Sequence, residues 1–214
     1  PRPTVARKPQ VPRERESEKR PRVSLACDGM NRGNLQMKYL VMAIAALTSQ
    51  AAYTETLLGT ETISPGISLT FEAAARDAIY PPKQFLNEDQ SDLHLEVLAR
   101  WNQDAPANFP IGGHVAYLQV DVEIVNEQSR KSKSIQLTPH LNLSDGLHYA
   151  QNVKLPGSDD QTYKLTFRIT PPARGILGIH SDWLRSFGKE LLENQTVVFQ
   201  SVSLMEATRS RREK

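Results

Sequence analysis

From Tyr53 onward, apolar and polar residues alternate with a period of two in one run after another, the pattern of strands with one buried face. Ile67-Ser68-Leu69-Thr70-Phe71 opens the series. Asp92 to Val97 sets Leu93, Leu95 and Val97 on one face. His114 to Val125 sets Ala116, Leu118, Val120, Val122 and Ile124 against Tyr117, Gln119, Asp121 and Glu123. Ser134 to Leu141 keeps Ile135, Leu137 and Leu141 in phase, and Thr162 to Thr170 alternates Tyr163, Leu165, Phe167 and Ile169 with Lys164, Thr166 and Arg168. Thr196 to Met205 reads as a last strand. Turn chemistry separates these runs at Asn126-Glu127-Gln128-Ser129, Ser144-Asp145-Gly146 and Pro156-Gly157-Ser158-Asp159-Asp160, and Pro171-Pro172 ends a strand. Only Ser181 to Asn194 reads as a helix of any length. About seven strands punctuated in this way predict an all-β fold, an immunoglobulin-like antiparallel β-sandwich, although the Cys…Trp…Cys of antibody domains is missing.

The alternation stops before Tyr53. Met37 to Ala52 runs from Lys38 through an uncharged apolar stretch, Leu40 to Leu47, to the small residues Ser49-Gln50-Ala51-Ala52. That order is the order of a secretory signal peptide, cleaved after Ala51 or Ala52. The apolar stretch is too short to cross a bilayer, and it lacks the polar stripe of a buried amphipathic helix. Residues 1–36 are rich in Arg, Pro and Glu and poor in apolar residues, a disorder-prone composition. Because a signal begins a protein, they read as a non-native upstream extension, with translation starting at Met37 or Met30; a basic nucleic-acid-binding arm is the rival reading. The expected organisation is therefore an extension at 1–36, a signal peptide at 37–52 and one secreted, periplasmic domain at 53–214. Cys27 is the single cysteine, which excludes an intrachain disulfide and a cysteine metal cluster.

Charge sharpens this division. Of 26 Lys/Arg and 24 Asp/Glu, residues 1–52 hold ten and four, which leaves 16 and 20 in 53–214, a net of −4. A mildly acidic domain lacks the basic footprint of a nucleic-acid binder. The chain contains no serine nucleophile motif, no phosphate loop and no H-E-x-x-H, so an enzyme is not expected. All five histidines, His94, His114, His140, His148 and His180, lie in 53–214. Strand phase places His94 and Glu96 side by side, opposite Leu93, Leu95 and Val97, as two ligands of one cation would project. The plain alternative is a solvated polar face. His140 also has the polar phase, between Leu137 and Leu141, and the Ser144-Asp145-Gly146 turn allows His148 to fold back near it. From the residues alone this is an imidazole-rich surface and no more.

Several short motifs add to that reading. Ser144-Asp145-Gly146-Leu147-His148-Tyr149 followed by Asn152-Val153 resembles the S-D-G-P-H-Y-G-x-N-V run of the periplasmic iron-transport family, the FetP and pathogen-specific membrane antigen type. Asp92-Leu93-His94-Leu95-Glu96 is similar to its D-I-H-L-E strand, Val115-Ala116-Tyr117-Leu118 to its P-Y-L strand, and Tyr163-Lys164-Leu165-Thr166-Phe167 through Pro171-Pro172 to its Y-K-V-T-F…P-P segment. Gly178-Ile179-His180-Ser181-Asp182 falls where the family has H-x-H-T-D. The motifs occur in order over 67–182. The resemblance implies an immunoglobulin-like sandwich, a homodimer, a copper or iron site near the dimer interface and work beside an inner-membrane iron permease. It also implies metal-binding roles for His94, Glu96, His148 and His180. The chain departs from the family at Leu141, which stands at the place of a ligating methionine; His140, one residue earlier, has the phase to replace it. Leu147 replaces the family's proline and Ala150 its glycine.

The expected function is thus a metal-binding component of bacterial iron uptake, taking iron with copper as a second or assisting metal, with zinc or manganese as further candidates. The expected ligands are His94, Glu96, His140, His148 and His180. Imidazole in place of a thioether favours Cu(II), Zn(II) or Fe ions over Cu(I). The expected partners are a second copy of the chain and an inner-membrane permease, with no nucleic acid and no membrane insertion of the mature chain. The rival readings are a metal-free sandwich for adhesion or protein docking, and a copper chaperone unrelated to iron.

Overall fold

The computed structural model describes residues 55–188 and 190–210. The extension and signal-peptide readings for 1–36 and 37–52 lie outside the described residues. The described chain forms strands β1 (Thr56–Ile63), β2 (Ile67–Ala74), β3 (Leu93–Trp101), β4 (Gln119–Asn126), β5 (Ser132–Asn142), β6 (Gly146–Val153), β7 (Thr162–Thr170) and β8 (Gln195–Ser203). Two short helices follow the late strands, α1 (Ser181–Phe187) and α2 (Met205–Arg209). The hydrogen-bonded strand order is β1-β2-β3-β6-β5-β4-β7-β8, and every pairing is antiparallel.

One strand joins two sheets. The first half of β5 pairs with β4, with Leu137 opposite Val120, and its second half pairs with β6, with Thr138 opposite Ala150. The β1-β2-β3-β6-β5 sheet therefore folds over the β5-β4-β7-β8 sheet, and the sandwich approaches a barrel along the β5 side. Inward-facing residues meet between the sheets: Leu69, Phe71, Leu93, Leu95 and Val97 from one, Val120, Val122, Ile124, Leu165 and Phe167 from the other, all without solvent exposure. The rings of Phe71 and Phe167 lie 4.8 Å apart across that interface. Each such side chain contributes about 1.5–3 kcal/mol through removal from water. The all-β antiparallel sandwich is as the alternation predicts.

The differences have local causes. The strand expected from His114 begins only at Gln119: Tyr117 takes a left-handed φ of 67°, which turns the chain and leaves Ala116 exposed. His114 makes only an isolated bridge with Arg100. The helix expected over Ser181–Asn194 stops at Phe187, where Gly188 has φ 92°. Strands β1 and β6 have no clear alternation. In β6, His148 and Asn152 are buried along with Tyr149 and Val153, so both faces are covered and the period-two signal vanishes. The hairpin turns are as expected. Asn126 Oδ1 accepts the backbone N–H groups of Gln128 (3.1 Å) and Ser129 (2.7 Å), and Asn142 Oδ1 accepts that of Asp145 (2.7 Å), the Asx-turn device that makes such residues good turn formers.

Candidate metal centre

Register brings four of the five predicted site residues to one face of the β1–β5 sheet. In β3, His94 and Glu96 point away from Leu93, Leu95 and Val97; in the β3–β6 ladder they stand opposite Asn152 and Ala150. Across the β5–β6 ladder His140 stands opposite His148. Directly opposed residues share a face, so His94, Glu96, His140 and His148 project together, while Leu141 has the reverse phase and is 76% exposed. The family position occupied by Leu141 is thus turned away, and His140 is the one that faces the cluster.

This face is not a solvated one. The chain between β2 and β3 crosses it, leaving His94 3%, Glu96 0% and His148 1% exposed. The crossing segment sets the Phe85 ring edge-on to His140 at 5.0 Å and joins Asp77, Ile79 and Tyr80 with the three histidines around a cavity of about 450 Å³. A buried carboxylate and buried imidazoles on the outer face of a sheet are costly as an ordinary surface.

Each of His94, His140 and His148 offers a ring nitrogen, and these three atoms lie within 4.8 Å of one another. Glu96 bridges two of them, its Oε1 3.7 Å from His94 Nε2 and its Oε2 3.9 Å from His148 Nε2. The outer ring nitrogens are occupied elsewhere. His94 Nδ1 donates to Asn152 Oδ1 at 3.0 Å, and His148 Nδ1 donates to the Gly146 carbonyl at 3.0 Å. Both bonds leave the Nε2 lone pair directed to the cluster, the arrangement that ligating histidines use. His140 Nε2 lies 3.4 Å from the Thr138 hydroxyl. Burial foremost, then the neighbouring His148, pushes the His140 imidazole down to about 4, which keeps it neutral and able to ligate. Three imidazoles and one carboxylate fit Cu(II), Zn(II) or Fe ions, with no sulfur in the set.

A second group of donors adjoins the first and shares Glu96. One carboxylate oxygen each from Glu55, Glu96 and Asp145 lies within 4.8 Å of the others. Glu72, opposite Glu96 in the β2–β3 ladder, has its carboxyl held above the usual range by burial and then by Glu55 and Asp145. The concentration of negative charge is what a cation would relieve. Sequence reasoning missed Glu55 and Asp145. Asp145 was read only as turn chemistry, and Glu55 precedes a strand that shows no alternation.

The remaining candidates lie elsewhere. His180 is the residue before α1; it is exposed and lines a cavity of about 460 Å³ with Phe109 and Trp183, apart from the other three histidines. Within one chain the four histidines expected to converge are therefore three. Asp92, which shares the phase of His94, accepts from Lys154 Nζ (2.6 Å) and the Leu155 backbone (2.8 Å) and pins the start of β3. His114 lies against Tyr149 with the rings tilted by 34° and their centroids 5.1 Å apart. Burial, and then Arg100, holds its imidazole below the usual range.

Among the described residues no helix is long and apolar enough to cross a membrane. Comparison with known proteins gives a consistent picture. A UPF0423 protein of Brucella abortus is 35% identical over 83 residues, 39% of this chain and 44% of the relative, and a UPF0423 protein of Brucella suis matches to the same extent. The match spans less than half the length of these curated relatives. A copper-bound variant of FetP from uropathogenic Escherichia coli superposes with a TM-score of 0.58 at 22% identity, covering 71% of this chain and 99% of that one. A copper-bound variant of the P19 protein of Campylobacter jejuni gives 0.60 at 25% identity, covering 69% and 95%. The profile of the Fe2+ transport protein family matches residues 52–203, and this chain belongs to that family.

Proposed function

We propose that this protein is a periplasmic metal-binding component of bacterial iron uptake. Its cargo is an iron or copper ion, held by His94, His140 and His148 with Glu96 beside them, and it delivers iron to an inner-membrane permease. The observation that carries the reading is the cluster of three imidazoles, two buried and one half-buried, around one buried carboxylate, the two buried imidazoles with their outer nitrogens already hydrogen-bonded. A metal-free docking module has no use for such a group beneath a covering segment. Membership of the Fe2+ transport protein family supports iron as the physiological cargo, and the copper-bound FetP and P19 relatives support copper as a second ion. The imidazole-rich set favours Cu(II) over Cu(I), whereas the adjoining carboxylates offer the harder oxygen donors that suit Fe(II) or Mn(II).

His180 enters this reading through a second copy of the chain. The β5–β6 hairpin beside the site exposes Leu141, Leu143 and Leu147, an apolar surface that a two-fold partner would cover. Such a partner would carry its own exposed His180 as a further imidazole donor.

The test is a thermal-shift titration of residues 53–214 with Cu(II) and, without oxygen, Fe(II). A ligand that binds only the folded state at a hundred times its dissociation constant adds about 2.7 kcal/mol. Stoichiometric stabilisation is expected in the parent. Affinity should fall by orders of magnitude in His94→Ala and His148→Ala, so that most of the midpoint shift is lost, whereas the shift should persist in His114→Ala. A parent whose midpoint ignores both ions contradicts the proposal.

A further inference from the structure

The amide of Asn152 stands at the junction of the site and the segment that covers it. Asn152 is 2% exposed and sits on β6 opposite His94. Its Nδ2 donates to two carbonyls of the covering segment, Asp77 at 2.7 Å and Leu86 at 2.8 Å. Two acceptors on one side fix which way the amide faces. Its Oδ1 is consequently the atom that meets His94 Nδ1 at 3.0 Å, and the same oxygen accepts the Asp77 backbone N–H at 3.3 Å. An oxygen in that place can only accept. A neutral His94 ring then carries its proton on Nδ1 and turns its Nε2 lone pair to Glu96 and the other imidazoles.

We propose that Asn152 is a positioning residue with two linked tasks: it selects the His94 tautomer competent for ligation, and it clasps the covering segment between Asp77 and Leu86 over the site. The proposal rests on the metal-binding reading for its consequence, whereas its geometry stands on the hydrogen bonds of Asn152 alone. The covering segment contributes Phe85 against His140 and Asp77, Ile79 and Tyr80 to the cavity wall. One side chain therefore governs both the ligand's orientation and the access route to it. A carboxylate or carbonyl behind a ligating imidazole commonly affects metal affinity by about 10–100-fold, and Asn152 is the corresponding group here.

Two substitutions separate the tasks. Asn152→Leu keeps the branched shape, in a larger side chain, and removes both the acceptor and the donors. Asn152→Asp keeps the acceptor for His94 Nδ1 and loses the donors to Asp77 and Leu86. Long-range 1H–15N NMR spectra of the metal-free protein read the His94 tautomer, amide exchange reads residues 77–86 against β4 and β7, and Cu(II) titration reads affinity. The parent should show His94 protonated on Nδ1. Asn152→Asp should keep that tautomer while exchange over 77–86 accelerates. Asn152→Leu should mix the tautomers, accelerate exchange and weaken Cu(II) binding about 10–100-fold. The proposal is overturned if His94 in the parent is protonated on Nε2, or if Asn152→Leu leaves tautomer and exchange unchanged. Should Asn152→Leu fail to fold, the parent tautomer and the Asn152→Asp pair decide. A parent that binds no copper refutes the metal-binding reading, and the tautomer and exchange results still decide the role of Asn152.

Discussion

At the scale of single residues, protonation is what joins the site to stability. His140 has its imidazole pushed down to about 4 by burial and by His148, against about 6.5 in an unfolded chain. Between those two values the unfolded state binds more protons than the folded one. The metal-free protein should therefore lose stability as pH falls from about 6.5 toward 4, and hold the His140 contribution in full above that window. His140→Phe, which can keep the edge contact with Phe85, should flatten this slope in urea-denaturation midpoints measured from pH 7 to pH 4. An unchanged slope would show that His140 is not a half-buried imidazole held neutral. Strand phase made His140 legible from sequence: Leu141 and Leu137 share a parity, so His140 must face the other way. Burial of His94, Glu96 and His148 was not legible, because it depends on where the segment between β2 and β3 settles, and no local pattern encodes that.

At the scale of elements, hairpin chemistry sets the register on which the site depends. Asn126 is fully buried at the β4–β5 turn, accepts from Gln128 and Ser129 and donates through Nδ2 to Gln161 Oε1 at 2.7 Å. Asn126→Ala should cost about 1–3 kcal/mol through the partners left unpaired, visible as a lower urea midpoint with an unchanged denaturant slope. No loss would mean that the turn holds without its Asx bonds. The inward faces of β2, β3, β4 and β7 were readable because one face of each meets the core and alternation survives. Strand β6 was not, since residues with opposite facing are buried on both sides, by the core and by the covering segment. The functional strand is thus the one whose pattern is least strand-like: the Ser144-Asp145-Gly146 turn allowed His148 to return toward His140, and family resemblance supplied its metal-binding role. Tyr117 shows a different failure: its left-handed backbone interrupts an alternation that continues unbroken in the letters.

At the scale of the whole molecule, the site lies beneath the segment between β2 and β3 and beside an exposed apolar hairpin. Leu143 is fully exposed and Leu141 nearly so, which fits a two-fold contact beside the histidines. Sedimentation at micromolar concentration should give a dimer, and paired charges introduced at Leu141 and Leu143 should yield a monomer with weakened metal binding. A parent that sediments as a monomer would remove His180 from the ligand set. The proposed function stands on the convergence of the imidazoles of His94, His140 and His148 on one ion. Pulsed electron paramagnetic resonance of the protein loaded with one Cu(II) per chain counts those imidazoles directly. Coupling from the three should appear in the parent, and His140→Ala should lose one imidazole while His114→Ala loses none. A spectrum that is the same in the parent and His140→Ala would contradict it.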